Sequence, residues 1–140
     1  MYIREYKTTD EKQVLSLLEY LESCEREGYN DKNMPSYPSN WVRKVSDNGF
    51  VFVDDNNIVG YIGYNLRFNN SICFIHDIVT DKNYHNKGIG KKLFTHLSEY
   101  LKDKYSTAEI RLDVRSNNDA IRFYEKLGFT PFKVSMSLSL

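Results

Sequence analysis

Residues 83–94 read NYHNKGIGKKLF. Gly88 and Gly90 stand two positions apart where a polar loop gives way to apolar residues at helical spacing. Ile89, Leu93, Leu97, Tyr100 and Leu101 continue that spacing on one face. Lys91, Lys92, Lys102 and Lys104 fall largely on the others, so an amphipathic helix is expected from Gly88 onward. A glycine-bearing loop at a helix start offers unpaired N–H groups and the positive end of the helix dipole, a setting for phosphate. The plainer alternative is that the two glycines only shape a turn, the commoner fate of a lone G-x-G.

Two familiar phosphate loops do not fit. A P-loop needs GxxxxGK[ST], but Gly90 and Lys91 are followed by Lys92, and His85 stands where the first glycine belongs. A dinucleotide fingerprint needs a third glycine where this chain has Leu93. It also needs several further strand–helix units, and only 26 residues (140 minus 114) follow Val114.

Working outward, YIREY at the start reads as a short strand. Residues 8–25 then carry Val14, Leu17, Leu18 and Leu21 at helical spacing, with Thr8 and Glu11 at capping-box spacing. Pro35 and Pro38 fall in a polar loop, followed by a second short helix over 39–47. Residues 49–68 form two apolar runs around a turn at 54–57, a hairpin. ICFIHDIVT, residues 72–80, reads as a strand buried on both faces and interrupted by one polar pair, His76 and Asp77. Residues 108–115 alternate strictly, which predicts a half-buried strand. SNNDAIRFYEKLGF places Ala120, Phe123, Tyr124 and Leu127 at helical spacing and ends on Gly128 in the C-cap position. A last strand is expected over 129–140. The whole is one mixed α/β (α+β) domain over 1–140.

Composition excludes several classes. Lysine plus arginine and aspartate plus glutamate number 19 each, so no net field gathers nucleic acid or an anionic membrane. No apolar run approaches the roughly 18 residues that span a bilayer. The first residues lack the apolar core of a signal peptide, and Cys24 and Cys73 show no paired spacing, so a cytoplasmic protein with reduced thiols is expected. His76, His85 and His96 show no metal-ligand spacing, and no metal is expected.

The loop HNKGIG, residues 85–90, following a buried strand, resembles the pyrophosphate loop of the GNAT acyltransferase superfamily. A second stretch, NNDAIRFYEKLGF, begins at Asn117, 29 positions after Gly88 (117 minus 88), and resembles that superfamily's second motif through Asn117, Ala120, Phe123, Tyr124, Gly128 and Phe129. The resemblance implies a GNAT fold, a mixed central sheet of six to seven strands with four helices, and acetyl-CoA as cosubstrate. It implies pyrophosphate contacts from the backbone amides of Asn86, Lys87, Gly88, Ile89, Gly90 and Lys91, with a side-chain contact from the His85 position. The backbone of Ile78, Val79 and Thr80 is expected to take the pantetheine arm, and Asn117 and Phe123 complete the cofactor set. The family usually has Arg or Gln where His85 stands.

The resemblance also assigns chemistry. Tyr124 is the expected acid: a phenol with a pKa of roughly 10 is protonated at neutral pH and can donate to a departing thiolate. The plainer reading makes Tyr124 one more core aromatic in a chain with 11 tyrosines. His76 and Asp77 stand where the family often has a bulge and an acidic residue. Two readings of His76 stay open, a general base or a hydrogen-bonded core histidine, and Asp77 either orients water or holds structure. The implied reaction is direct transfer of acetyl to a primary amine of a small molecule, as in glucosamine-phosphate or aminoalkylphosphonate acetyltransferases, with a homodimer possible. The alternatives are a protein N-terminus or lysine as acceptor, and a coenzyme A binding module without catalysis.

Overall fold

The computed structural model describes residues 1–29, 45–114 and 118–140, with side chains for all of these except 25–29. The loop of Pro35 and Pro38 and residues 39–44 of the helix expected over 39–47 lie outside the described residues; Val45, Ser46 and Asp47, the described end of that expected helix, are not helical.

The hairpin is the centre of the sheet. Strand β2 (Gly49–Asp54) and strand β3 (Asn57–Arg67) pair antiparallel. Asp55 and Asn56 make the turn at φ 47° and 61°, the left-handed pair that matches strand twist in a two-residue hairpin. Strand β1 (Tyr2–Glu5) adds to β2 antiparallel, strand β4 (Ile72–Thr80) to β3 antiparallel, and strand β5 (Glu109–Arg111) to β4 in parallel. The spatial order is β1-β2-β3-β4-β5.

Alternation along β2 supplies two cores. Phe50 and Phe52 point to one face, where helix α2 (Ile89–Tyr105) lays down Ile89, Leu93, Leu97 and Leu101; all six side chains are buried. Val51 and Val53 point to the other, against Val14, Leu17 and Leu18 of helix α1 (Glu11–Tyr29). The sheet is therefore sandwiched between two amphipathic helices, each burying the stripe that its period prescribes. The start of α1 is braced differently from the Thr8–Glu11 box. A 3₁₀ turn (Thr8–Asp10) precedes the helix, and the Asp10 carboxylate accepts from the Lys7 N–H at 2.8 Å and from both Arg4 terminal nitrogens at 2.8 and 2.9 Å.

Helix α3 (Ala120–Lys126) ends as expected. Gly128 has φ +102°, its N–H donates to Glu125 O and the Phe129 N–H reaches back to Tyr124 O, the paired bonds of a Schellman cap.

The predicted strand and helix counts need correction. Among the described residues there are five strands and three α-helices, rather than six to seven strands and four helices. The alternation over 108–115 yields only three paired residues, and 129–140 forms no strand. Val134, Met136, Leu138 and Leu140 keep the period of two, yet are 82–117% exposed. A strand is a pairing rather than a local property, and the three-residue β5 offers too short an edge for that segment, which Pro131 further deprives of a donor. The elements nonetheless form a mixed α+β sheet with a β4–α2–β5 crossover.

Candidate functional site

Strand β4 carries the first part of the site. Its register against β3 slips between Gly63, which faces Asp77, and Tyr64, which faces Ile75, so His76 is the extra residue of a β-bulge. The bulge resets the alternation: Cys73 and Ile75 pack toward α2, whereas Val79 packs toward α1. It also corrects two expectations. The strand is not buried on both faces, and His76 is exposed, which removes the reading of a core histidine. Asp77 is half-buried beside the Tyr61 hydroxyl, whose pKa burial raises first and the Asp77 charge raises further. The Tyr61 hydroxyl donates to Ser46 O.

The bulge coincides with a parting of the sheet. β5 pairs with β4 only at Ile72, Cys73 and Phe74, so from Ile75 to Thr80 the β5-side edge of β4 has no strand partner among the described residues. Ile78, Val79 and Thr80, the expected pantetheine contacts, lie on this open edge.

At the end of β4 a 3₁₀ turn (Lys82–Tyr84) leads into the loop. Asn86 (φ 62°) and Gly88 (φ 75°) are both left-handed, and Gly88 is the N-cap of α2. A side chain at 88 would meet nothing within 4 Å, so the backbone there is open to a ligand. The first helical bond runs from the Lys92 N–H to Gly88 O. None of the hydrogen bonds among the described residues uses the N–H groups of 86–91, which is the donor set an anion needs at a helix start.

The helix start is held down on the sheet by Gly60. A Cβ there would lie 2.8 Å from Ile89 Cγ2 and 3.1 Å from Leu93 Cδ1, so a bare backbone lets the first turn of α2 approach β3 closely. Gly90 plays a packing part rather than one of ligand access. A Cβ at 90 would stand 3.2 Å from Phe123 Cζ and 3.9 Å from Ile78 Cδ1. Those contacts bring α3, the loop and the open β4 edge together at one point.

Tyr124, next to Phe123 on α3, is half-buried with ring centroids 5.3 Å from Phe123 and 5.8 Å from Phe129; Phe129 in turn lies 5.5 Å from Phe94 of α2. Asn117 lies outside the described residues. His85 is exposed, and its Nε2 is 3.2 Å from the Thr80 carbonyl, the geometry of a ring N–H donating back to β4. Its ring centroid is 6.1 Å from that of Tyr20 in α1. Lys91 is exposed on the first turn of α2, and Lys87 Nζ sits 4.9 Å over the Tyr84 ring. Sequence reading missed Tyr84 and Asp54. The Tyr84 hydroxyl donates to Asp54 Oδ2 at 2.7 Å, which raises the pKa of the phenol, and no spacing pattern links residues thirty positions apart.

A second cleft, of about 490 Å³ and lined by Tyr6, Asp47, Tyr64, Tyr100, Lys104 and Tyr105 among others, lies at the other end of α2. At 1.5 Å per helical residue, Tyr100 and Tyr105 set it about 18–25 Å along α2 from Gly88. Among the described residues there is no group of three or more potential metal ligands and no helix long and apolar enough to cross a membrane. The two cysteines are free thiols, Cys24 exposed and Cys73 buried.

Comparison with known proteins places the chain in a family. An N-alpha-acetyltransferase of Saccharolobus solfataricus is 36% identical over 96 residues, 61% of this chain and 58% of that protein. A probable spermine N(1)-acetyltransferase of Bacillus subtilis subsp. natto is 42% identical over 50 residues, 35% of this chain and 33% of that protein. The chain thus spans less than two thirds of the length of either relative. Among solved structures, a mutant of the BH1408 protein from Bacillus halodurans superposes with a TM-score of 0.76 at 24% identity, covering 100% of this chain and 99% of the other, a likeness of fold. Residues 14–129 match the acetyltransferase (GNAT) family. The chain belongs to that family, whose members use acetyl-CoA.

Proposed function

We propose that the chain is an N-acetyltransferase that moves an acetyl group from acetyl-CoA to the primary amine of a small molecule by direct transfer. One observation carries the reading: Gly90, Phe123 and Ile78 meet, which sets the N–H groups of 86–91 and the edge of β4, both without partners among the described residues, and the Tyr124 helix around one place. The residues fit the cosubstrate on chemical grounds. Backbone donors at a helix start suit a pyrophosphate, and an unpaired strand edge suits the amide-bearing pantetheine arm as an added strand.

Acetyl-CoA supplies an acetyl group activated as a thioester. In the transfer an N–C bond forms and a C–S bond breaks, the amine loses one proton and the sulfur gains one. Tyr124 holds the proton for the sulfur, since an unionised phenol is a donor at neutral pH. His76 and Asp77, together at the bulge, are the candidates for the amine's proton. The exposed imidazole suits a base that returns its proton to water, and the half-buried carboxylate suits orientation of the amine or of a water. Neither cysteine sits in a motif that would support a covalent acyl-enzyme, and Cys73, on β4, is buried, in keeping with direct transfer.

The spermine acetyltransferase relative supports a small amine as acceptor. A second reading, a peptide α-amine, is favoured by the name of the N-alpha-acetyltransferase relative. Release of free thiol from acetyl-CoA, followed with spermine, spermidine, an aminoalkylphosphonate and peptides bearing a free N-terminus, separates them. Turnover on a small amine but not on peptides is expected. Turnover on peptides alone establishes the second reading, and tight coenzyme binding without turnover on any amine refutes both.

A further inference from the structure

The loop before α2 is tied down at several points, most of them local. The Asp81 N–H donates to Val59 O at 2.8 Å, its carboxylate accepts from the Asn83 N–H at 2.8 Å, and the Tyr84 N–H donates to Asp81 O at 2.9 Å. A further tie reaches the hairpin tip on β2. The Tyr84 hydroxyl donates to Asp54 Oδ2 at 2.7 Å, and Asp54 is the last residue of β2, beside the left-handed turn of the hairpin. The ring of Tyr84 packs at the edge of the α2 core, and its face carries Lys87, whose Nζ is 4.9 Å from the centroid.

We propose that Tyr84 and Asp54 are positioning residues for the anion-binding loop: the hairpin tip fixes the Tyr84 ring, and the ring fixes Lys87 and the backbone that follows it. The inference rests on the reading of 86–91 as the coenzyme pyrophosphate site. Electrostatics gives it force. A carboxylate near an anion site repels the ligand, so direct binding is not a role for Asp54; its hydrogen bond to Tyr84 is the service it performs. The phenol in turn directs its O–H to Asp54 and turns its negative π-face to Lys87, so a negative group holds a cation in place through a neutral ring. A loop whose donors are fixed before the ligand arrives loses less entropy on binding than one that must be ordered.

Four variants separate the tie from general packing. Tyr84→Phe keeps the ring and deletes the hydroxyl. Tyr84→Leu removes the platform for Lys87 as well. Asp54→Ala removes the acceptor, and Asp54→Asn keeps an acceptor oxygen without the charge. Coenzyme A affinity by calorimetry, KM and kcat with acetyl-CoA, and backbone NMR order parameters of 86–91 in the ligand-free protein are the readouts. Tyr84→Phe and Asp54→Ala are expected each to weaken coenzyme A binding about three- to tenfold, the range of one partly exposed charge-assisted hydrogen bond. KM should rise in step while kcat moves less than about twofold, and the order parameters over 86–91 should fall. The double variant should be no worse than either single, Asp54→Asn should stay within about twofold of wild type, and Tyr84→Leu should be the weakest binder. Unchanged affinity and order parameters in Tyr84→Phe refute the tie alone. Failure of the wild-type protein to bind coenzyme A refutes the underlying reading of the loop, and this role with it.

Discussion

Gly60→Ala is a small change with a definite mechanical consequence. The new methyl would stand 2.8 Å from Ile89 Cγ2, 3.1 Å from Leu93 Cδ1 and 3.3 Å from Phe52 Cβ. Ordinary contact begins near 3.4 Å, so the first turn of α2 must lift by about 0.6 Å (3.4 minus 2.8) or Ile89 must leave its rotamer. Overpacking of this kind costs about 1–3 kcal/mol. Alanine recovers about 0.5–1 kcal/mol by narrowing the unfolded chain, which leaves a net loss of about 0.5–2 kcal/mol. The displaced turn is the one that presents the amides of 88–91. Since a misplacement of about 1 Å at a binding group can cost about a hundredfold, a lift of about 0.6 Å is expected to raise KM for acetyl-CoA about three- to tenfold. Urea unfolding measures the first quantity and steady-state kinetics the second. Ile89→Ala in the same background removes the clashing atom, so the two substitutions should couple favourably by about 1 kcal/mol. Strict additivity, or a destabilised Gly60→Ala enzyme whose KM is unchanged, would refute the reasoning that β3 sets the height of the loop.

Gly88→Val forces a β-branched residue to φ +75° with no neighbour to clash against, so its cost is conformational, about 1–3 kcal/mol in unfolding experiments, with weaker coenzyme binding by calorimetry. Tyr124→Phe should lower kcat about a hundredfold or more with little change in thermal stability; an unaltered rate from pH 6 to 10 sinks its assignment as the acid. His76→Gln should flatten the acidic limb of the kcat/KM profile if the imidazole is the base, whereas a limb that persists there and disappears in Asp77→Asn gives that part to the carboxylate. Arg4 holds the Asp10 carboxyl below its ordinary pKa, chiefly through their hydrogen bonds and also by charge, with help from the Lys7 N–H. A depressed folded-state pKa stabilises above the unfolded value near 4 and loses that contribution as pH falls through the folded value. Asp10→Asn should therefore cost about 1–3 kcal/mol at pH 7, and the gap to wild type should narrow below about pH 4 in urea titrations.

Most of the fold was legible because its elements are written in period. The stripe Ile89, Leu93, Leu97 and Leu101 could only be a helix laid on a core, and 49–67 could only be two strands and a tight turn. What periodicity does not carry is partnership. The alternation of Val134, Met136, Leu138 and Leu140 is as regular as that of 108–115, but a strand needs an edge of matching length and β5 has three residues. The bulge on β4 was foreshadowed by its polar pair, but the exposure of His76 was not, because it follows from a register slip against Gly63 and Tyr64 that belongs to the partner strand. In the site, two glycines that look alike do different things: Gly88 turns the backbone left-handed into open space, and Gly90 yields its side-chain volume to Phe123. Asp54 and Tyr84 were invisible for the same reason as the bulge, since their contact is made by the topology.

The central claim is that coenzyme A lies along the open edge of β4 with its pyrophosphate on the start of α2. Backbone amide chemical-shift mapping of the labelled protein titrated with coenzyme A tests it residue by residue. The account predicts the largest saturable shifts at 86–91, with downfield movement of amides that gain a phosphate acceptor, and a second set over 75–80. Shifts concentrated instead around Asp47, Tyr64, Tyr100 and Tyr105, in the cleft at the far end of α2, with 86–91 unmoved at saturation, would contradict it.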